Sequence, residues 1–250
     1  MSNGFIVFII CMCLVVCVII ALIITFVYRR RHKKPSASER AKDRKQQLIA
    51  KGIEGEDYVE SILNELGEPV RVFRDIVLDT DTDLGTTEID FIVITENGVF
   101  ILDVKSWDGI YKCDVTKTRN GKYDYDLIVY NNRVEKFLSC DDQAIMRNAG
   151  HYNAVCKLIA DYGDKRLNKW LKNKVHSYVV FRQDNFNGQC DRAINAHELI
   201  YTIRNFHGKL DEQDIDALAE IIRDHHSRIP REQHIENLLK MFPNDYDAAA

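Results

Sequence analysis

The chain has 250 residues, 46% hydrophobic and 29% charged, with a formal net charge of −4; that is enough for one sizeable domain plus an appendage. The charge is uneven: Arg29 to Gln47 holds nine Lys/Arg against two acids, a net +7, and residues 1–28 carry no charged side chain, which leaves −11 on residues 48–250. An acidic body argues against non-specific duplex binding through a broad basic face.

Phe5 to Val27 is uncharged, with Thr25 its one polar interruption, and is long enough to cross a hydrocarbon core of about 30 Å at about 1.5 Å per residue. Arg29, Arg30, Arg31, Lys33 and Lys34 follow at once, so the positive-inside rule puts the C-terminal bulk in the cytoplasm. A cleaved signal peptide fits poorly, because no basic segment precedes the apolar run and no small-x-small site follows it. The expected order is a short extracytoplasmic N-terminus (1–4), a single N-terminal transmembrane helix (5–28), a basic linker (29–46), a main domain (47–228) and a C-terminal helix and tail (229–250). The expected location is the cell membrane, single-pass, N-terminus out. The linker, extended or frayed around Pro35-Ser36-Ala37-Ser38, would be drawn to anionic lipid head groups.

Gln47 to Leu66 has helical apolar spacing. Gly52 and Gly55 within it cost roughly 1 kcal/mol each against Ala, which calls for a reason such as close approach to another backbone. Glu56 shares a stripe with Ile49, Gly52, Val59 and Leu63, so its carboxylate turns inward. Val70 to Leu78 reads as a strand, followed by a polar loop over Asp79 to Gly85. Thr86 to Gly109 then reads as two apolar strands interrupted by Asp90, Asp103 and Lys105. Asn97-Gly98 signals a type I′ hairpin turn. With Glu96 facing Val99, Ile92 pairs with Asp103 and Asp90 with Lys105, which puts two acids and one amine on one face. The other face, Ile89, Phe91, Val93, Phe100, Leu102 and Val104, is continuous hydrocarbon, as suits a strand pair buried on both sides.

Ile110 to Lys117 and Tyr123 to Tyr130 flank Asn120-Gly121 as a second hairpin. A long helix is expected over Asp141 to Tyr162, with Gln143 near its start, then a strand over Val175 to Phe181. Helices follow near Ala196 to Phe206, Asp211 to Arg228 and Arg231 to Met241. This order predicts an α/β sandwich around a mixed sheet.

Of the seven cysteines, Cys11, Cys13 and Cys17 lie in the apolar span, and the other four are too scattered for a C-x-x-C zinc site. Free thiols in a reducing compartment are the simplest expectation. No Gly-rich phosphate loop, nucleophile-elbow serine or solenoid repeat is present. The charged cluster therefore carries the chemistry. Two carboxylates on adjacent strands and Glu56 from a packed helix form the oxygen-rich set that a hard cation such as Mg²⁺ or Mn²⁺ prefers. Such an ion activates water and stabilises a leaving alkoxide. Lys105 beside it would orient or deprotonate the attacking water, and Gln143 would hydrogen-bond the water or a phosphate if its helix packs nearby. The bland reading of Asp103 and Lys105 is a strand-end ion pair, and of Glu56 a satisfied core carboxylate.

Gly52-x-x-Gly55-Glu56, Thr86 to Ile94 with its Glu88-Ile89-Asp90, Gly98 to Lys105, Gly109 and Gln143-Ala144 together resemble the nuclease-related domain (NERD) family, a branch of the PD-(D/E)XK nuclease-like superfamily. The resemblance covers residues 47–185. It implies a restriction-endonuclease-like mixed sheet flanked by helices, with a divalent metal, Mg²⁺ or Mn²⁺, at Asp90, Asp103 and the Val104 backbone carbonyl. It implies Glu56 from the first helix, Lys105 as the catalytic lysine, and Glu88 assisting from the Asp90 face. The chain departs from the family in Asp103, where Glu is more frequent, and in Ser106, where Asn is common; the shorter acid shortens the ligand arm. The function implied is a membrane-anchored, metal-dependent nuclease acting on cytoplasmic nucleic acid, DNA before RNA. The competing reading is a non-catalytic module of the same fold that binds nucleic acid or protein at the membrane.

Overall fold

The predicted apolar runs do pair as strands, and their order positions everything else. The computed structural model describes residues 18–20, 22–25, 28, 37–67, 69–81, 85–117, 123–131, 134–137, 144–188 and 190–241. The chain divides into two compact units, residues 1–47 and 48–250. In the first unit, most of the predicted membrane span Phe5 to Val27 and the basic cluster Arg29 to Lys34 lie outside the described residues. Among the described residues no helix is long and apolar enough to cross a membrane.

The first described long element is helix α1, Ala37–Leu63. It starts ten residues before the expected Gln47, so the second half of the predicted extended linker is helical. Ala, Glu, Arg, Lys and Gln dominate that stretch, and their high helix propensity outweighs the disordering effect of like charge. Strands β1 (Val70–Asp79), β2 (Thr86–Thr95) and β3 (Gly98–Lys105) follow, then β4 (Ile110–Lys117), β5 (Tyr123–Asn131) and β6 (Val134–Phe137). Helices α2 (Ala144–Tyr162) and α3 (Lys165–Lys174) lead to β7 (Val175–Phe181) and the short β8 (Ala193–Asn195). Helices α4 (Leu199–Asn205), α5 (Glu212–His225) and α6 (Arg231–Met241) complete the fold. The long helix ends at Tyr162 as expected, but α3, which starts after Gly163-Asp164, was not foreseen. Its signal is the Asp164 cap, whose side chain accepts from Leu167 N at 2.8 Å.

The main sheet has the order β1-β2-β3-β7-β8. β1, β2 and β3 run antiparallel, while β3 with β7 and β7 with β8 run parallel, so the sheet is mixed as predicted. β4, β5 and β6 form a separate antiparallel sheet, tied to the segment after β7 by a bridge between Tyr111 and Phe186. On one face of the main sheet Phe91, Val93, Phe100, Leu102 and Val104 pack with Val59 and Leu63 of α1. On the other, Ile92, Ile94 and Ile101 pack with Val155 and Ile159 of α2, Leu167 of α3 and Ile215 and Leu218 of α5. Ile89 joins this second face rather than the Phe91 face expected of it. Asp75, at φ 56°, interrupts the pairing of β1 with β2 between Arg74–Phe91 and Ile76–Ile89 without changing its register.

The two helix glycines differ in purpose. A Cβ on Gly55 would meet Ser106 Oγ at 1.9 Å and Val104 Cγ1 at 3.6 Å, whereas one on Gly52 meets nothing within 4 Å. Close approach therefore explains Gly55 and not Gly52. Gly52→Ala is expected to raise stability by about 0.5–1 kcal/mol. Gly98→Ala is expected to lower it by about 1–3 kcal/mol from backbone strain alone, since φ is 144° and the added Cβ would stand 2.6 Å from the Lys174 carbonyl oxygen. Urea unfolding midpoints of the two variants, moving in opposite directions, check both.

Candidate functional site

The site is built where β2 and β3 part. Their pairing runs from Thr95 opposite Gly98 to Phe91 opposite Leu102 and stops. This is two residues off the register expected from Asn97-Gly98. No type I′ turn forms, because that turn needs positive φ at both central residues and only Gly98 carries it here, not Glu96 or Asn97. Contacts from distant chain decide the turn instead. Leu210 N–H donates to the Glu96 carbonyl at 2.8 Å, Gly208 lies against the Asn97 carbonyl, and Gly98 lies against Lys174. A shift of two preserves the faces, so Asp90 and Asp103 still share one side. Extrapolated past Phe91 and Leu102, the register sets Asp103 opposite Asp90 rather than diagonal to it, and Lys105 is no longer its partner.

Beyond Leu102, β3 keeps only its parallel partner, with Asp103 beside Val179 and Lys105 beside Phe181. The Val104 N–H on the abandoned edge donates to Asp90 Oδ2 at 2.6 Å. A side chain thus replaces a missing strand, which is why a carboxylate is tolerated there. Lys105 Nζ donates to Asp103 Oδ1 at 2.5 Å and lies 3.4 Å from the Val104 carbonyl oxygen. Its ammonium also stands 5.7 Å over the Trp107 ring. Asp103 is 4% exposed, and its Oδ2 is buried without a hydrogen-bond partner among the described residues.

Electrostatics separates the two acids. Burial, then the charge of Asp103, pushes the Asp90 carboxyl up to about 7 against the pull of Lys105 and the Val104 N–H. Burial would raise Asp103 too, but Lys105, His151 and Arg147 outweigh it and hold that carboxyl below its ordinary value. His151, on α2, is itself pushed down to about 4 by burial and so is neutral at cellular pH. Its Nδ1 and Asn148 Oδ1 are buried with no hydrogen-bond partner among the described residues. Neither residue was singled out from sequence. The signal available was two polar side chains on the buried face of an otherwise apolar helix.

Glu56 reaches the neighbourhood because Gly55 lets α1 close on Ser106 and Val104, yet its carboxylate is taken up by arginines. Arg74 Nη2 donates to Oε2 at 3.1 Å, and Arg231 Nη2 stands 3.7 Å from Oε1. Arg74 also holds Asp57 at 2.7 Å and Glu60 at 2.6 Å. Arg231 also pairs with Asp75 at 3.2 Å and with Glu88. Glu56 and Glu88 are both raised by burial, with Arg231 opposing the rise in each. Glu56 still acts on Asp90, whose carboxyl its charge helps to raise. The structure thus brings together Asp90, Asp103, Val104 and Lys105, and ties Glu56 and Glu88 to Arg231. Gln143 lies outside the described residues.

Of the predicted donors, Asp90, Asp103 and the Val104 carbonyl are chemically suited to a divalent cation, while Glu56 is taken up by arginines. Asp103 Oδ2 is an orphaned buried oxygen, and the raised Asp90 carboxyl marks a place short of positive charge. Among the described residues no group of three or more His, Cys, Asp or Glu is arranged to hold a metal ion. The family model of the nuclease-related domain matches residues 51–182, more than half of the chain. The chain belongs to the nuclease-related domain family. No curated protein and no solved structure matches it. Membership makes its function nuclease-related, with nucleic acid as the general class of partner and a divalent metal as the general class of cofactor.

Two measurements follow for the metal-free protein. Asp90 titrates near 7 when folded and near about 3.9 when unfolded, so between those values the folded chain binds the extra proton. Stability is therefore expected to fall as pH rises from about 4 to about 7 and to level off above. Glu56 and Glu88 shift in the same direction, so Asp90→Asn should flatten the decline without abolishing it in urea unfolding with chelator present. Lys105→Met removes the partner of a buried carboxylate, and a loss of about 3–5 kcal/mol is expected in the same assay.

Proposed function

We propose that this NERD-family protein is a membrane-anchored, divalent-metal-dependent nuclease that hydrolyses phosphodiester bonds of cytoplasmic nucleic acid, DNA in the first instance. The observation that carries the reading is the Asp90–Asp103–Lys105 arrangement, where a buried carboxylate oxygen lacks a partner beside a lysine within the matched family segment. Asp90, Asp103 and the Val104 carbonyl, with Glu56, would hold Mg²⁺ or Mn²⁺, and Glu88 would assist. When bound, the ion supplies charge neutralisation at the phosphate and acidifies a coordinated water.

The chain's own residues do the rest. Lys105, which donates to Asp103 Oδ1, would hold the attacking water or a non-bridging phosphate oxygen. Gln143 would hydrogen-bond the water or phosphate. The Trp107 ring, 5.7 Å from the largely buried Lys105 ammonium, limits water access and strengthens each charge interaction. Anchoring at the cell membrane rests on the uncharged run Phe5 to Val27 and the basic cluster after it. DNA rather than RNA is the working choice of substrate.

One observation favours the second reading, a non-catalytic binding module: both oxygens of Glu56 face arginine guanidinium groups. The deciding assay incubates the full chain in detergent micelles with duplex and single-stranded DNA and Mg²⁺ or Mn²⁺. Cleavage is expected to fall by about 10²-fold or more in Asp103→Asn and in Lys105→Ala. Equal cleavage in wild type and both variants would overturn the nuclease reading. Nucleic-acid binding without cleavage in any of them would establish the module.

A further inference from the structure

Cys113 and Cys190 are far apart in the chain and are brought together by the joint between the two sheets. Cys113 lies on β4, and Cys190 lies in the segment between β7 and β8. That segment runs parallel to β4, starting at the bridge between Tyr111 and Phe186. Tyr111 N–H donates to the Asn185 carbonyl at 2.8 Å, and Asn187 N–H donates to the Tyr111 carbonyl at 2.7 Å. One step further along, a Cβ on Gly188 would stand 3.4 Å from the Cys113 nitrogen. Tyr111 and Cys113, two residues apart on a strand, face the same way, and both pack with Phe181, Phe186 and Ala193. Cys190 packs on the same apolar cluster. The two thiols meet there, with Cys113 donating a hydrogen bond to Cys190.

The surroundings of Cys190 favour a thiolate. Arg192 N–H donates to its sulfur at 3.4 Å, and Ala193 N–H is a second backbone donor. The hydrogen bond from Cys113 and these N–H groups hold the Cys190 thiol below its ordinary value, against burial and the charge of Asp191. Cys156 of α2 is the opposite case, since burial pushes its thiol up. The thiolate is the form that attacks peroxides and disulfides. A half-buried thiolate touching a second thiol is therefore the arrangement of an attacking cysteine and its resolving partner. In a reducing compartment such pairs serve as transient links.

We propose that Cys113 and Cys190 are a dithiol site that hydroperoxides oxidise to a disulfide, clamping the β4–β6 sheet to the β7–β8 connection. The Cys190 thiolate attacks one oxygen of hydrogen peroxide, the O–O bond breaks, and Cys190 becomes a sulfenic acid while the departing hydroxide takes up a proton as water. Cys113, having lost its proton, attacks the Cys190 sulfur; the S–S bond forms, the S–O bond breaks and a second water leaves. The two sulfurs lose two electrons in all, and the peroxide gains them. The site does not depend on the nuclease reading. Its position bears on that reading, because the same cluster holds Trp107, whose ring lies under the Lys105 ammonium.

The test is peptide mapping of the full chain in detergent micelles, reduced, exposed to hydrogen peroxide and then alkylated. The expected product is a Cys113–Cys190 disulfide peptide that dithiothreitol removes. In Cys113→Ser the sulfenic acid is expected to persist on Cys190 and to be trapped by dimedone, whereas Cys190→Ser should leave Cys113 unlabelled. In the unoxidised chain at neutral pH, iodoacetamide is expected to alkylate Cys190 about tenfold faster than Cys156. Oxidised wild type should unfold at a higher Tm than reduced wild type, because the link closes a long loop in the unfolded chain, and reductant should restore the lower value. Recovery of both thiols alkylated after peroxide, or of Cys190 joined to a different cysteine, overturns the proposal. A Tm that oxidation leaves unmoved refutes the clamp. The wild-type map decides the matter even if either serine variant fails to fold.

Discussion

The parting of β2 from β3 after Phe91 and Leu102 is the constraint on which the rest of the structure depends. A fully paired strand at the centre of a sheet has no use for a carboxylate, and burying one ion costs several kcal/mol even after relaxation. Here the lost strand pairing leaves a backbone N–H, that of Val104, in need of an acceptor, and Asp90 supplies it. The same opening leaves Asp103 facing α2 instead of a neighbouring strand's hydrocarbon, with Lys105 to hold it ionised. Hydrocarbon on both faces of β2 and β3 offsets the cost. Ile92, Ile94, Phe91, Val93, Phe100, Ile101 and Leu102 are all fully buried, each contributing about 1.5–3 kcal/mol.

This arrangement leaves the site electrostatically unfinished. One acid is held ionised and the other is pushed toward its protonated form. A dication between them would favour the ionised form of both. The arginines around Glu56 show the protein resolving the same imbalance internally, one layer further out.

Much of this was legible in the sequence because it is local. The strands carry β-branched and aromatic runs, α1 and α2 carry helical stripes, and Asp90, Asp103 and Lys105 stand out as charges in hydrocarbon. Family motifs added the roles of these residues and are matched over residues 51–182. The register was not legible, because the Asn97-Gly98 signal is local while the contacts that override it come from Lys174, Gly208 and Leu210. Arg74 and Arg231 were invisible for a similar reason. Neither belongs to a motif, and only the folded sheet reveals that both address Glu56. Asn148 and His151 were masked by the apolar stripe in which they sit.

The clasp on the tip of the β2–β3 hairpin has a consequence for how the protein is made. Chains emerge from the ribosome N-terminus first and begin to fold as they emerge. Asp90, Asp103 and Lys105 are exposed to the cell long before Lys174, Gly208 and Leu210 have been joined to the chain. Until then nothing pins the turn in the observed register, and the strands are free to adopt the pairing that their own residues prefer. The acids and the lysine are thus synthesised early and aligned late. A protein of a nuclease-related family passes part of its synthesis, beside the RNA of the ribosome, with the alignment of its site deferred until Lys174, Gly208 and Leu210 are in place.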